Sequence, residues 1–137
     1  MSLEKALIDL ERYCAKAWRQ YAKHDELSQL SFNEFDYLRM IKEAGDNGVR
    51  ITDLAEEMSV TKPSASNMVA RLERKQLVMR RPCPEDARSS RIVVTQQLLE
   101  QWALENVVYR DIVSKLSSKL TDDETSQLIH LLNKSLS

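Results

Sequence analysis

The sequence predicts a mainly α-helical fold with one small β-hairpin, on three observations. Only two glycines and three prolines occur in 137 residues, which favours long helices over tight turns. Apolar residues recur at helical spacing along most of the chain. The exception is the stretch where two β-prone runs, "LVMRR" and "RIVVT", flank "PCPEDARSS", the pattern of a hairpin.

Length and composition narrow the class. A chain of this size is one domain, 1–137, able to bury a core without staples. With 42% hydrophobic and 30% charged residues it reads as globular, not disordered. No apolar run reaches the roughly 18 residues of a membrane span. The N-terminal "MSLEKALIDLERYC" carries acids and no apolar signal core, so a cytoplasmic location is expected. Cys14 and Cys83 make neither a disulfide framework nor a metal pattern, and His24 and His130 have no ligand partner at metal spacing. Gly-rich phosphate loops, G-x-S-x-G and nucleophile–His–Asp sets are missing from the sequence. An enzyme, a metal and a cofactor are therefore not expected.

The first helix is predicted from about Ser2 to about Glu26. Leu3, Leu7, Leu10, Cys14, Ala17 and Tyr21 recur at heptad-like spacing, with Trp18 beside them. The second begins at "SFNE", where Ser31 and Glu34 form a capping box, and Leu30 and Phe35 fit a hydrophobic staple. Phe35, Leu38 and Ile41 form its inner face, and "GDNG" ends it near Ala44. Val49 and Ile51 suggest a very short strand. Asp53 to Met58 reads as a short helix with Leu54, Ala55 and Met58 inward, and Ser59 to Thr61 as a turn. Thr61 caps the next helix and Pro63 sits in its first turn. Ala65, Met68, Val69 and Leu72 form that helix's buried stripe. Ser66, Asn67, Ala70 and Arg74 lie opposite, flanked by Lys62, Ser64 and Arg71. After the hairpin, one long helix is predicted from about Gln97 to Leu120, with burial on more than one side. A second capping box, Thr121 with Glu124, opens a last helix whose apolar set is Leu128, Ile129, Leu131 and Leu132.

A short helix, a three-residue turn and a longer helix with a small, polar, cationic outer face is the helix-turn-helix pattern. Short side chains let the second helix approach base edges, and Arg and Lys further along reach phosphates. A cationic hairpin beside it suits a wing lying along the backbone. Charge follows the same division. Residues 61–95 hold eight Lys and Arg against three acids, or +5, and the remainder holds 12 against 18, or −6. A basic patch on a neutral body points to a polyanion.

The chain resembles the MarR (multiple-antibiotic-resistance regulator) family of winged helix-turn-helix proteins. "DLAEEMSVTKPSASNMVARLERKQLV" at 53–78 and "PEDARSSRIVVT" at 84–95 carry the resemblance, and the helix order extends it over essentially the whole chain. The family's D-x-R…L-T wing signature falls on Asp86, Arg88, Val94 and Thr95. The resemblance implies that Asp86 orders the wing and that Arg88 makes its DNA or wing-stabilising contact. Ser59 and Gln76 stand where the family usually has glycine, Asn67 where it often has Arg, and Arg91 at a usually apolar place. Asn67 points to adenine, which Asn pairs bidentately.

The combined expectation is a dimeric repressor of transcription whose DNA binding a small-molecule effector modulates. Residues 31–96 form the DNA-binding part, and 1–30 and 97–137 form dimerisation helices. The partners are a pseudo-palindromic DNA duplex and a second copy of the chain. Lys62, Ser64, Ser66, Asn67, Arg71, Arg74, Arg80 and Arg88 are the candidate DNA contacts, with Arg88 entering or flanking the minor groove. Asp86 is expected to pair with an Arg, either Arg88 or one on the recognition helix. Trp18, Tyr21 and Trp102 are candidates for an effector pocket, although each taken singly fits core or dimer packing. One branch of the family senses peroxide through an N-terminal cysteine, but Cys14 lies on the apolar stripe, where a structural thiol is usual. Cys83, in the wing loop, is expected to be exposed. The alternative is a winged-helix adaptor whose wing binds a protein, which would not need this clustered charge.

Overall fold

A computed structural model of the chain describes residues 2–21, 30–83, 85–86, 88–105 and 107–137. The elements run α1 (Leu3–Tyr21), α2 (Phe32–Glu43), a 3-10 turn (Gly45–Asn47), α3 (Ile51–Glu57), α4 (Lys62–Arg74), β1 (Val78–Pro82), β2 (Ser90–Val94), α5 (Gln96–Glu105), α6 (Val107–Ser117) and α7 (Asp122–Leu136). They fall into two compact units. One comprises residues 1–21 and 106–137, the other residues 22–105.

The central unit follows its local signals. Ser31 accepts from the Glu34 N–H, and the Glu34 carboxylate accepts from the Ser31 N–H, so the capping box closes α2. Leu30 and Phe35 are both buried, as a staple requires. Leu38 and Ile41 are fully buried. The helix-turn-helix follows, with Leu54 and Ala55 of α3 and Ala65, Met68, Val69 and Leu72 of α4 all inward. β1 and β2 pair antiparallel, Val78 opposite Val94 and Arg80 opposite Ile92. Thr95 ties the hairpin base to its neighbours. Its hydroxyl donates to the Gln76 carbonyl at 2.8 Å and accepts from the Leu98 N–H at 3.2 Å.

Three joints depend on unusual backbone. Gly48, at φ +73°, lets Val49 exchange two hydrogen bonds with Ile92, and a Cβ there would meet the Ile92 carbonyl at 2.8 Å. Ser59 and Gln76 hold φ of 55° and 63°, the left-handed values that the family's glycines would adopt without strain. Both helix ends are Schellman motifs. In α3, Ser59 N–H bonds Glu56 and Val60 N–H bonds Ala55; in α4, Gln76 N–H bonds Glu73 and Leu77 N–H bonds Leu72.

The terminal unit packs α1 with α6 and leaves much apolar surface open. Leu3, Leu7 and Leu10 of α1, Val113 and Leu116 of α6, and Leu128, Ile129, Leu131 and Leu132 of α7 are all exposed. Thr121 and Glu124 close the capping box of α7 as the sequence predicts.

Several expectations are corrected. The strand at Val49 and Ile51 is a single bridge at Val49, because Ile51 already begins α3. Helix α1 is described as far as Tyr21; its predicted extension to Glu26 lies outside the described residues, as does His24. The helix predicted over 97–120 is helical over Gln96–Glu105 (α5) and Val107–Ser117 (α6) and ends three residues short of Leu120; whether it is continuous at Asn106 lies outside the described residues. Burial on more than one side is not seen in α6, where Val113 is 59% exposed.

Candidate nucleic-acid interface

Helix α4 is fixed at both ends. At its start, Thr61 accepts from the Ser64 N–H at 3.2 Å and donates its hydroxyl to Ser64 Oγ at 2.9 Å. Pro63 in the first turn removes an N–H that has no helical partner there. At its end, Lys75 Nζ reaches the Glu34 carboxylate at 2.7 Å, and Glu34 is only 7% exposed. Burial by itself would raise the Glu34 carboxyl. The hydrogen bond from Lys75, those from Ser31 and the Lys75 charge outweigh it and hold the group below its ordinary value. One carboxylate thus caps α2 and anchors the C-terminus of α4, a contact that spans 41 positions.

With one stripe buried, the opposite face of α4 is open. Lys62, Ser64, Asn67, Arg71 and Arg74 are exposed and Ser66 is half-buried. The face therefore offers two hydroxyls and an amide near its start and guanidiniums near its end. Short hydroxyl and amide groups can read base edges, and guanidiniums are suited to phosphate. Arg80 on β1 is not wholly available to a ligand, since its Nε is 3.3 Å from the Glu73 carboxylate on α4. That pair also fixes the wing to the helix.

Asp86 Oδ1 accepts from the Arg88 N–H at 2.9 Å, and Asp86 O accepts from the Ser89 N–H at 3.2 Å. The expected pairing of Asp86 with a guanidinium is thus corrected: its partner is backbone. The reason is sequence distance, since an Asx turn closes two residues on while the Arg88 side chain is free to point outward. Arg88 itself is exposed.

Cys83 is the residue that the sequence placed least well. It is 3% exposed, not an exposed loop thiol. Its N–H bonds the Ser89 carbonyl at 3.1 Å, and Arg50 Nη2 lies 3.6 Å from its sulfur. The Glu85 N–H, then the Arg91 and Ser89 side chains and the Asp86 N–H, stabilise the thiolate against burial and bring the thiol down to about 6. Arg50 Nη2 also lies 3.6 Å from the Glu85 carboxylate, so the residue preceding α3 reaches the wing loop. No local pattern marks Arg50, which sits 33 positions from Cys83. Cys14 is the opposite case, half-buried with a thiol pushed up by burial.

The aromatic candidates do not form one described group. Trp18 is buried in the terminal unit. Trp102, in the central unit, stacks on Phe35 at 4.4 Å between centroids, with Lys42 Nζ 5.5 Å from its ring centre. Tyr21 closes α1, and its side chain lies outside the described part. Among the described residues no group of three His, Cys, Asp or Glu could hold a metal ion, and no helix is long and apolar enough to cross a membrane.

The MarR family model matches residues 30–90, the segment from the α2 cap to the second wing strand. Solved structures extend the likeness over the full length. The S. aureus MepR–DNA complex aligns with a TM-score of 0.77 at 20% identity, covering 99% of this chain and 97% of that one. Wild-type MarR from E. coli in its apo form aligns at 0.76 and 22%, covering 100% and 98%. S. aureus MepR bound to ethidium bromide aligns at 0.66 and 20%, covering 99% and 94%. At these identities the structures show a shared fold. No curated protein matches the chain in sequence.

Proposed function

From the match of residues 30–90 to the MarR family model, we propose that this protein is a MarR-family dimeric regulator of transcription that binds a two-fold DNA site and represses. The observation that carries the reading is the open face of α4. Its base-reading side chains, Ser64, Ser66 and Asn67, are followed by the phosphate-binding Arg71 and Arg74, on a helix fixed at both ends. Lys62 and Arg88 extend the phosphate contacts to either side, and Asp86 shapes the loop that presents Arg88. Residues 31–96 bind DNA. The helices of 1–30 and 97–137 join two copies, consistent with the exposed leucines of α1 and α7 and with a groove of about 340 Å³ lined by Tyr13, Leu116, Leu120 and Leu128. A fold like that of an ethidium-bound relative supports modulation by a small effector, for which Trp18, Tyr21 and Trp102 remain the candidate residues. With DNA as its partner, the protein works in the cytoplasm.

Salt dependence tests the reading. Lys62, Arg71, Arg74 and Arg88 from two protomers would neutralise eight phosphates, giving a log–log slope of about −7 for duplex binding. A slope near zero would instead favour an adaptor whose wing binds protein.

A further inference from the structure

Arg50 stands at the N-cap of α3. Ser, Thr, Asp and Asn fill that position best, because their side chains bond the free N–H groups of the first turn. The Arg50 side chain makes no such bond. It runs instead to the wing loop, where one nitrogen, Nη2, lies 3.6 Å from Cys83 Sγ and 3.6 Å from the Glu85 carboxylate. The first helix of the helix-turn-helix thus gives up a side-chain cap, and its capping residue reaches the hairpin. The other bonds of the loop are internal. Cys83 N–H bonds the Ser89 carbonyl, Ser89 N–H bonds the Asp86 carbonyl, and Asp86 Oδ1 accepts from Arg88 N–H. They shape the loop but tie it to nothing outside the wing. Among the described residues of the loop, Arg50 supplies that outside tie.

The two contacts differ in weight. Both side chains of the Arg50–Glu85 pair are exposed, and exposed ion pairs contribute little. Cys83 is buried, so its sulfur is a fixed point against which the guanidinium is held. Glu85 precedes Asp86, whose carboxylate presents Arg88. We infer that Arg50 is a positioning residue for DNA binding: it holds the wing loop to the first helix of the helix-turn-helix and so fixes where Arg88 stands relative to the open face of α4. The inference rests on the DNA-binding reading above. A wing free to swing must be ordered as it binds, and that ordering is subtracted from the contact Arg88 makes. A wing tied to α3 has the two contacts in register beforehand.

Arg50→Thr in the full chain is the discriminating variant. Threonine is too short to reach the loop but is a good N-cap, so helix content and thermal midpoint should stay at or above the parent's. Loss of either would mark Arg50 as a residue of general stability and overturn the proposal. Duplex binding should nevertheless weaken, about as much as in Arg88→Ala. In the double variant the two losses should not add, and the salt slope should stay that of Arg88→Ala. Parent-like binding by Arg50→Thr would overturn the proposal. So would additive losses with a further flattened slope, which would make Arg50 a phosphate contact in its own right. A second measurement needs no DNA. In a Cys14→Ser background, the buried Cys83 should react slowly with a disulfide reagent at pH 9, where thiols are largely ionised. Arg50→Thr should raise that rate severalfold by freeing the loop, and an unchanged or lower rate would overturn the proposal. Absence of salt-dependent duplex binding by the parent would fail the DNA-binding reading and this inference with it. Normal parent binding with any of the contrary results above would fail this inference alone.

Discussion

Asn67 lies exposed on the open face of α4, one turn from Arg71 and two turns from Arg74, and the two residue types should fail differently. Asn67→Ala should lose about 1–3 kcal/mol on the preferred site and little on others. Arg71→Ala or Arg74→Ala should weaken all duplexes alike and flatten the salt slope by about one unit for each phosphate no longer neutralised. Competition binding with matched and mismatched duplexes separates the outcomes, and an Asn67→Ala variant with unchanged preference would remove this residue from base reading. Asp86 gives a counter-intuitive test. It is acidic beside a polyanion, yet its carboxylate holds the Arg88 N–H at 2.9 Å. Asp86→Ala should therefore weaken DNA binding; tighter binding would show that charge outweighs wing order. The two thiols should titrate on opposite sides of their ordinary range. Cys83 is brought down to about 6 and Cys14 is pushed up. Since the Cys83 thiolate is favoured in the fold, its contribution to wing stability is whole above the ordinary thiol range and is lost as pH falls toward 6. Ultraviolet thiolate absorbance of Cys14→Ser should rise near 6, and a rise only in the ordinary range would remove the nest of donors around Cys83. The surroundings of Cys83 were not visible in sequence, because Arg50, Ser89 and Arg91 meet there only after the hairpin closes against the residue preceding α3.

Helix ends were the most legible elements. Ser31 with Glu34, Thr121 with Glu124 and Thr61 before Pro63 are local patterns whose partners lie three residues away, and all three caps form. The hairpin was equally local. Less legible was the start of α3, where Ile51 has strand propensity but enters the helix, leaving Val49 alone to bridge Ile92. The Lys75–Glu34 anchor was also hidden, since each residue had a sufficient local reading. The two helix C-termini yield a stability prediction. Ser59 and Gln76 occupy left-handed backbone, where a side chain costs about 1–2 kcal/mol. Glycine there returns that strain against about 0.5–1 kcal/mol of added chain entropy. Gln76→Gly should raise stability by about 0.5–1 kcal/mol in denaturant unfolding, and Gln76→Val should lower it. A destabilised Gln76→Gly would mean that the side chain contributes more than its backbone costs.

At the scale of the molecule, the open apolar faces of the terminal unit decide the oligomer. Leu7, Leu10, Val113, Ile129 and Leu131 are 40–59% exposed, and a cluster of open apolar side chains is the kind of surface that marks an interface. The sequence carried this only as apolar stripes too wide for one small domain; which residues stay uncovered required the packing of α1 and α6. Two copies joined there would place two α4 helices on one duplex, with half-sites about 34 Å apart. A stable monomer in sedimentation at micromolar concentration would contradict that arrangement. The most direct test of the whole account is selection of bound duplexes from a random pool by the full-length protein. The account predicts one recovered motif repeated with two-fold symmetry at a spacing of about one helical turn. Recovery of a single unrepeated motif, or of duplexes with no shared sequence, would contradict it.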